Sequence, residues 1–145
     1  MVAKSSRAGK ELAAQKLGTA VSEEISVPRL KTEIDDLDAV LGGGFLAGGI
    51  VLLAGQPGIG KSTLLTQITA TIGAKSEVLY VSGEESIQQI KLRAERLGAA
   101  SSDKLQLASS NSAEDIAASI RTGKYDLVVV DSVQTLSLAE ISSAP

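Results

Sequence analysis

The densest chemistry in the chain lies in eight consecutive residues, Gly55-Gln56-Pro57-Gly58-Ile59-Gly60-Lys61-Ser62. They fit the pattern G-x-x-x-x-G-K-[ST] at every fixed position. Glycines let successive backbone N–H groups turn toward one point, and a helix starting there adds partial positive charge; both favour a polyphosphate. Lys61 has the reach for the β- and γ-phosphates, the Ser62 hydroxyl suits Mg²⁺, and Thr63 falls near the α-phosphate. Residues Gly55 to Thr63 are therefore the expected nucleotide site. The competing reading is a Gly/Pro turn followed by a chance Lys-Ser.

Two further stretches offer carboxylates. Asp131 ends the apolar run Leu127-Val128-Val129-Val130, the Walker B form, and with Ser62 is the expected metal ligand. In isolation such an Asp is as readily a turn residue. Glu84 and Glu85 follow a second apolar run. A carboxylate there suits polarising the water that attacks a γ-phosphate, and Glu84, nearer the strand, is the expected catalytic acid beside Lys61. Glu85 is expected to favour the dipole of the following helix. Arg93 and Arg96 suit either a neighbouring subunit or plain solvation, and solvation is the commoner fate of helical arginine. Nothing resembles a guanine-reading N-K-x-D, since Thr122-Gly123-Lys124-Tyr125-Asp126 has the wrong spacing. ATP is favoured over GTP.

The elements that must position these residues are legible in the hydrophobic pattern. Ile50-Val51-Leu52-Leu53-Ala54 reads as a buried strand entering the glycine loop. Leu64, Leu65, Ile68 and Ile72 share one face of the helix leaving it, with Gly73 as its stop. Glu77–Ser82 reads as a second strand, and Ile87, Ile90, Ala94 and Leu97 form the stripe of a helix closed by Gly98. Leu105–Ala108 is a short strand. Ser112…Asp115 reads as a capping box opening a helix with Ile116 and Ile120 inward and Gly123 as its end. Upstream, Thr32…Asp35 reads as another capping box, with Ile34, Leu37 and Leu41 on one side before Gly42-Gly43-Gly44. Residues 1–28 read as a flexible linker, with a short helix around Gly9–Leu17 as an option. Alternating strands and helices give an α/β fold with a mainly parallel sheet, whose ligands bind beyond the strand carboxyl ends. The loop, Glu84/Glu85 and Asp131 all fall there.

Composition narrows the classes. The chain has 145 residues, 43% hydrophobic but only 2% aromatic, so its core must be aliphatic. Its net charge of −3 gives no overall pull toward nucleic acid or anionic membrane. Without cysteine or histidine, disulfides and Cys/His zinc sites are excluded from these residues. No run approaches membrane-spanning length and no secretory signal opens the chain, so a cytoplasmic setting is expected.

Specific stretches carry a resemblance. Arg29-Leu30-Lys31-Thr32…Leu37-Asp38…Leu41-Gly42-Gly43-Gly44 and Gly55–Leu65 resemble the start of a RecA-fold ATPase core. Val78-Leu79-Tyr80-Val81-Ser82-Gly83-Glu84-Glu85-Ser86, the helix Gln89–Leu97 and Val130-Asp131-Ser132-Val133-Gln134-Thr135 are similar to the bacterial RadA (Sms) family of DNA repair and recombination ATPases. Residues 29–145 would then be the N-terminal portion of a RecA-like P-loop NTPase domain. The resemblance implies ATP and Mg²⁺ as cofactors, single-stranded or branched DNA and the RecA recombinase as partners, and a homo-hexameric ring. It assigns Lys61, Ser62 and Thr63 to nucleotide and Mg²⁺, Glu84 to the attacking water and Asp131 to the metal. It also implies a four-cysteine zinc module, DNA-facing loops, a Lys-Asn-Arg-Phe-Gly motif and a Lon-protease-like domain, none within these residues. Glu33 stands where that family usually has Gly. In RecA-type sheets a strand supplied later in sequence separates the loop strand from the Walker B strand. The isolated chain is thus expected to expose aliphatic surface, bind nucleotide poorly and hydrolyse it hardly at all. The alternatives are a KaiC-like regulatory ATPase, which shares the helix-then-glycines entry, and an inert truncated product.

Overall fold

In the computed structural model, which describes residues 13, 14, 16, 27–99 and 102–139, every residue of the strand Val78–Ser82 is buried. This strand is flanked in parallel by Leu105–Ser109 on one side and Leu127–Asp131 on the other. In chain order the elements are β1 (Arg29–Leu30), α1 (Asp35–Val40), β2 (Phe45–Leu46), α2 (Lys61–Gly73), β3 (Val78–Ser82), α3 (Ile87–Arg96), β4 (Leu105–Ser109), α4 (Ala113–Arg121) and β5 (Leu127–Asp131). The main sheet has the order β4-β3-β5, and β1 and β2 form a small antiparallel pair. The α/β class with a mainly parallel sheet flanked by helices is as expected.

The period-2 alternation of β3 sorts its side chains onto two faces. Val78 packs with Ile68 and Ile72 of α2, joined by Leu37, Leu64 and Phe45. Leu79 and Val81 pack with Ile116 of α4, joined by Val128 and Val130. The sheet is therefore covered by α2 on one face and α4 on the other, with an aliphatic core on both. Ile120, expected inward beside Ile116, is half exposed; only the Ile116 side of the short α4 reaches the sheet. Ser112 caps α4 by accepting a hydrogen bond from the Asp115 N–H at 3.1 Å, and Ser86 and Gln89 form a reciprocal capping box on α3.

Two local expectations are corrected. Ile50–Ala54 forms no strand, and Ile50, Val51 and Leu52 are 98%, 57% and 75% exposed. A strand needs a ladder partner, and among the described residues the outer edge of β5 pairs with nothing. Thr32 does not cap α1 in a box with Asp35. Its hydroxyl donates to Asp38 Oδ1 at 2.8 Å while its N–H donates to the same oxygen at 2.9 Å, folding the β1–α1 turn around a buried threonine. The Thr32 N–H holds the Asp38 carboxyl below its ordinary range. α2 ends at Gly73, as expected, and a Cβ there would lie 2.8 Å from Leu105 Cβ, so the glycine also permits close approach to β4. The proposed linker over 1–28 and the optional helix around Gly9–Leu17 lie almost wholly outside the described residues.

Glu33 has φ +61, the only positive value at a non-glycine residue among those described. A side chain there crowds the following carbonyl, and glycine escapes that strain. The Lys75–Glu33 contact at 3.4 Å is largely solvated and offsets little of it. Glu33→Gly is expected to raise unfolding free energy by about 0.5–1 kcal/mol, read from urea denaturation. A loss of stability would show that the left-handed turn is not strained.

Candidate functional site

Gly58 and Gly60 have φ values of +78 and +102, conformations that L side chains rarely adopt. Nothing lies within 4 Å of where a Cβ would stand on either, so the loop is an open cradle walled by backbone. Gly60 is the N-cap of α2, which has no side-chain cap and no acid in its first turn. The first-turn N–H groups are thus left without side-chain acceptors, on a helix whose far end is buried in the core. Lys61 Nζ donates to the carbonyls of Gly55 at 2.8 Å and Gln56 at 2.9 Å, holding its ammonium over the same loop. Donors, cation and space fit a phosphate chain.

The parallel register of β3 and β5 sets Ser82 opposite Asp131, so Gly83-Glu84-Glu85 and Asp131 leave the sheet at one edge. The Gly83 N–H donates to the Asp131 carbonyl at 3.1 Å, and Ser132 Oγ donates to Glu84 Oε1 at 3.2 Å. The Asp131–Ser132 peptide is cis. A 3-10 turn over Val133–Thr135 then packs on Gly83, leaving no room for a Cβ beside Thr135 Oγ1. Ser-Gly-Glu-Glu-Ser and Asp-Ser-Val-Gln-Thr, separate in sequence, are two sides of one contact.

A polar chain crosses from this edge to α2. Tyr80, on the α2-facing side of β3, donates its hydroxyl to Asp131 Oδ2 at 2.7 Å. Burial first, then the Asp131 carboxylate, pushes that phenol above its ordinary range, so it stays a donor. Arg93 reaches Tyr80 Oη at 3.4 Å, Glu85 Oε1 at 2.7 Å and Oε2 at 2.6 Å, and Thr66 Oγ1 at 2.9 Å. Burial works against the Arg93 charge, and the hydrogen bond and charge of Glu85 more than restore it. Thr66 donates in turn to the Ser62 carbonyl at 2.7 Å.

Two readings from sequence change here. Arg93 is not a solvating residue: its side chain is 16% exposed and ties four elements of the site together. Glu85 is not a first-turn acid of α3, which begins at Ile87; it is committed through both oxygens to Arg93. Arg96 stays exposed, bonding only its own helix at Leu92. Glu84 is exposed, with the Ser132 hydroxyl as its side-chain contact. Tyr80 and Thr66 were not singled out by sequence. Their signals were a phenol in an otherwise aliphatic strand, which needs a partner when buried, and a threonine one turn after Ser62.

An α/β domain with a glycine-loop cradle at the start of its central helix defines a P-loop protein. Residues 19–143 match the AAA domain family, and the chain belongs to it. Over most of its length it is similar to DNA repair protein RadA. It is 46% identical to the Rickettsia bellii protein over 134 residues, 90% of this chain and 29% of that protein. It is 48% identical to the Bacillus subtilis protein over 119 residues, 81% of this chain and 26% of that one. With the Streptococcus pneumoniae protein it shares 45% over 140 residues, 97% of this chain and 33% of the other. The chain thus spans about a third or less of these relatives' length.

The Gly83–Thr135 contact yields a coupled prediction. Gly83→Ala is expected to lose about 1–3 kcal/mol of stability by overpacking, and adding Thr135→Ala should recover part of it. Additive losses in a double-mutant cycle would show that the two motifs do not press on each other.

Proposed function

We propose that this chain is the nucleotide-binding portion of a RadA-like DNA repair ATPase, gripping ATP with Gly55–Thr63 and Mg²⁺ with Ser62 and Asp131. The observation that carries the reading is the bare N-terminus of α2, with its open cradle at Gly58 and Gly60 and the Lys61 ammonium beside it. Lys61 exchanges its two loop carbonyls for phosphate oxygens, and the first-turn N–H groups orient the chain of phosphates. Mg²⁺, held by Ser62 and Asp131, would supply neutralisation of phosphate charge. Glu84, not committed to an arginine as Glu85 is, holds the attacking water and takes its proton. Glu84 and Lys61 are the catalytic pair in this reading.

By likeness to DNA repair protein RadA, the whole protein couples ATP hydrolysis to recombinational repair, acting on single-stranded or branched DNA. RecA recombinase is its partner, a homo-hexamer its working form, and the cytoplasm its setting. A net charge of −3 and three aromatic residues (two Tyr and one Phe) offer little basic groove or stacking platform, so DNA is contacted through other parts of such a ring.

Titration of the chain with a fluorescent ATP analogue at high protein concentration tests the loop. Weak but measurable binding is expected, falling at least about tenfold in Lys61→Ala with an unchanged thermal melt. Equal affinity in both would end the loop reading. Turnover is expected to sit near background because the segment entering the loop is unpaired. Brisk, Lys61-dependent turnover would show that the site is complete without a partner for Ile50–Ala54.

A further inference from the structure

Asp131 has two carboxylate oxygens, and the structure treats them differently. Oδ2 accepts the Tyr80 hydroxyl at 2.7 Å, from a side chain 1% exposed on the neighbouring strand. Among the described residues, Oδ1 has no hydrogen-bond partner. Tyr80 is itself held by Arg93 at 3.4 Å, and Arg93 is fixed by Glu85 and by Thr66, whose hydroxyl reaches back to the Ser62 carbonyl. The route runs from the residue after the P-loop lysine to the Walker B acid through partly or wholly buried groups.

We propose that Tyr80 and Arg93 are positioning residues that fix the Asp131 carboxylate for Mg²⁺, with Oδ2 tied to the phenol and Oδ1 presented to the metal or its water. This rests on the reading of Asp131 as the metal acid. The chemical logic is that of an outer-shell partner: a ligating carboxylate left to rotate must be ordered when the metal arrives, whereas one already hydrogen-bonded is not. The phenol suits the task because its neutral hydroxyl donates to the carboxylate without bringing a charge that competes for the cation. Arg93 adds orientation: its planar fork serves Glu85 through one nitrogen while others face Thr66 and Tyr80. Because Thr66 bonds the Ser62 carbonyl, the same arginine ties the backbone of the second expected metal ligand to the first.

The test measures affinity for the fluorescent ATP analogue with Mg²⁺ and with chelator, so that the metal-dependent gain is read apart from loop binding. Lys61→Ala should weaken both measurements, and Asp131→Asn should remove the gain alone. Tyr80→Phe, which deletes only the hydroxyl, is expected to leave chelator-state affinity intact and to cut the Mg²⁺-dependent gain about tenfold. Should Tyr80→Phe not fold, Arg93→Lys carries the same expectation, since a single ammonium cannot serve three partners. If Asp131→Asn abolishes the gain while Tyr80→Phe keeps it, the positioning proposal is overturned and the metal reading stands. If Asp131→Asn keeps the gain, the metal reading falls and the proposal with it. A Tyr80→Phe chain that weakens in both states alike marks a merely structural role, which also overturns the proposal.

Discussion

Parallel pairing in register on both sides of β3 is the constraint from which the site inherits its geometry. Val81 lies opposite Val130 and Ser82 opposite Asp131, while on the other side Ser82 lies opposite Ser109. A one-residue slip of β5 would turn Asp131 to the other face and bring Val130 to the edge in its place. That register is held by side chains that fit only one way: Leu79, Val81, Val128 and Val130 on the α4 side, Val78 and Leu127 on the α2 side. The mainly aliphatic core is thus the device that aligns two carboxylate-bearing turns, with Tyr80 as its one fully buried aromatic side chain among the described residues.

Within this apolar frame the buried polar groups are all accounted for. Thr66 and Thr69 return their hydroxyls to carbonyls one turn back on α2, Thr32 is taken up by Asp38, and Ser82 Oγ accepts the N–H groups of Glu84 and Glu85. None of the described buried side-chain polar atoms lacks a partner. An unpaired buried hydroxyl would cost on the order of 1–3 kcal/mol, so such satisfaction constrains rotamers as firmly as packing does. The Ser82 hydroxyl is a case in point: it sets the direction in which Gly83-Glu84 leaves β3, and with it the separation of the two glutamates into one committed to Arg93 and one left facing water.

How much of this was legible depended on whether the deciding partner was near in sequence. The glycine loop, β3, β4, β5 and the ends of α3 and α4 followed from local periodicity, capping residues and stop glycines, because local chemistry decides them. Gly98 and Gly123, both at φ +71, are left-handed stops as expected. Arg93 was misread because its three partners come from α2, β3 and the turn before α3, and no spacing along one helix reveals that. Thr32 was misread for the reverse reason: two acids, Asp35 and Asp38, stood within reach, and tertiary fit chose the second. Glu33 was flagged only as a departure from a family pattern, and its positive φ gives that departure a physical meaning.

The segment before the loop shows where local pattern reaches its limit. Ile50-Val51-Leu52-Leu53 has strand composition, yet strand formation is a property of a pair, and among the described residues no strand lies beside it. Leaving such side chains in water forgoes about 1.5–3 kcal/mol apiece relative to full burial. The loop is therefore anchored unevenly. On its helix side α2 is fastened to β3 by Ile68 and Ile72 and to α3 by the Thr66–Arg93 bond; on its strand side the backbone has no ladder. An anion cradle depends on several N–H groups converging within tenths of an ångström, so a cradle fixed at one end concedes affinity before any contact with phosphate is altered. Lys61, whose carbonyl partners Gly55 and Gln56 belong to that loosely held side, joins the two halves of the loop and limits how far they can drift apart.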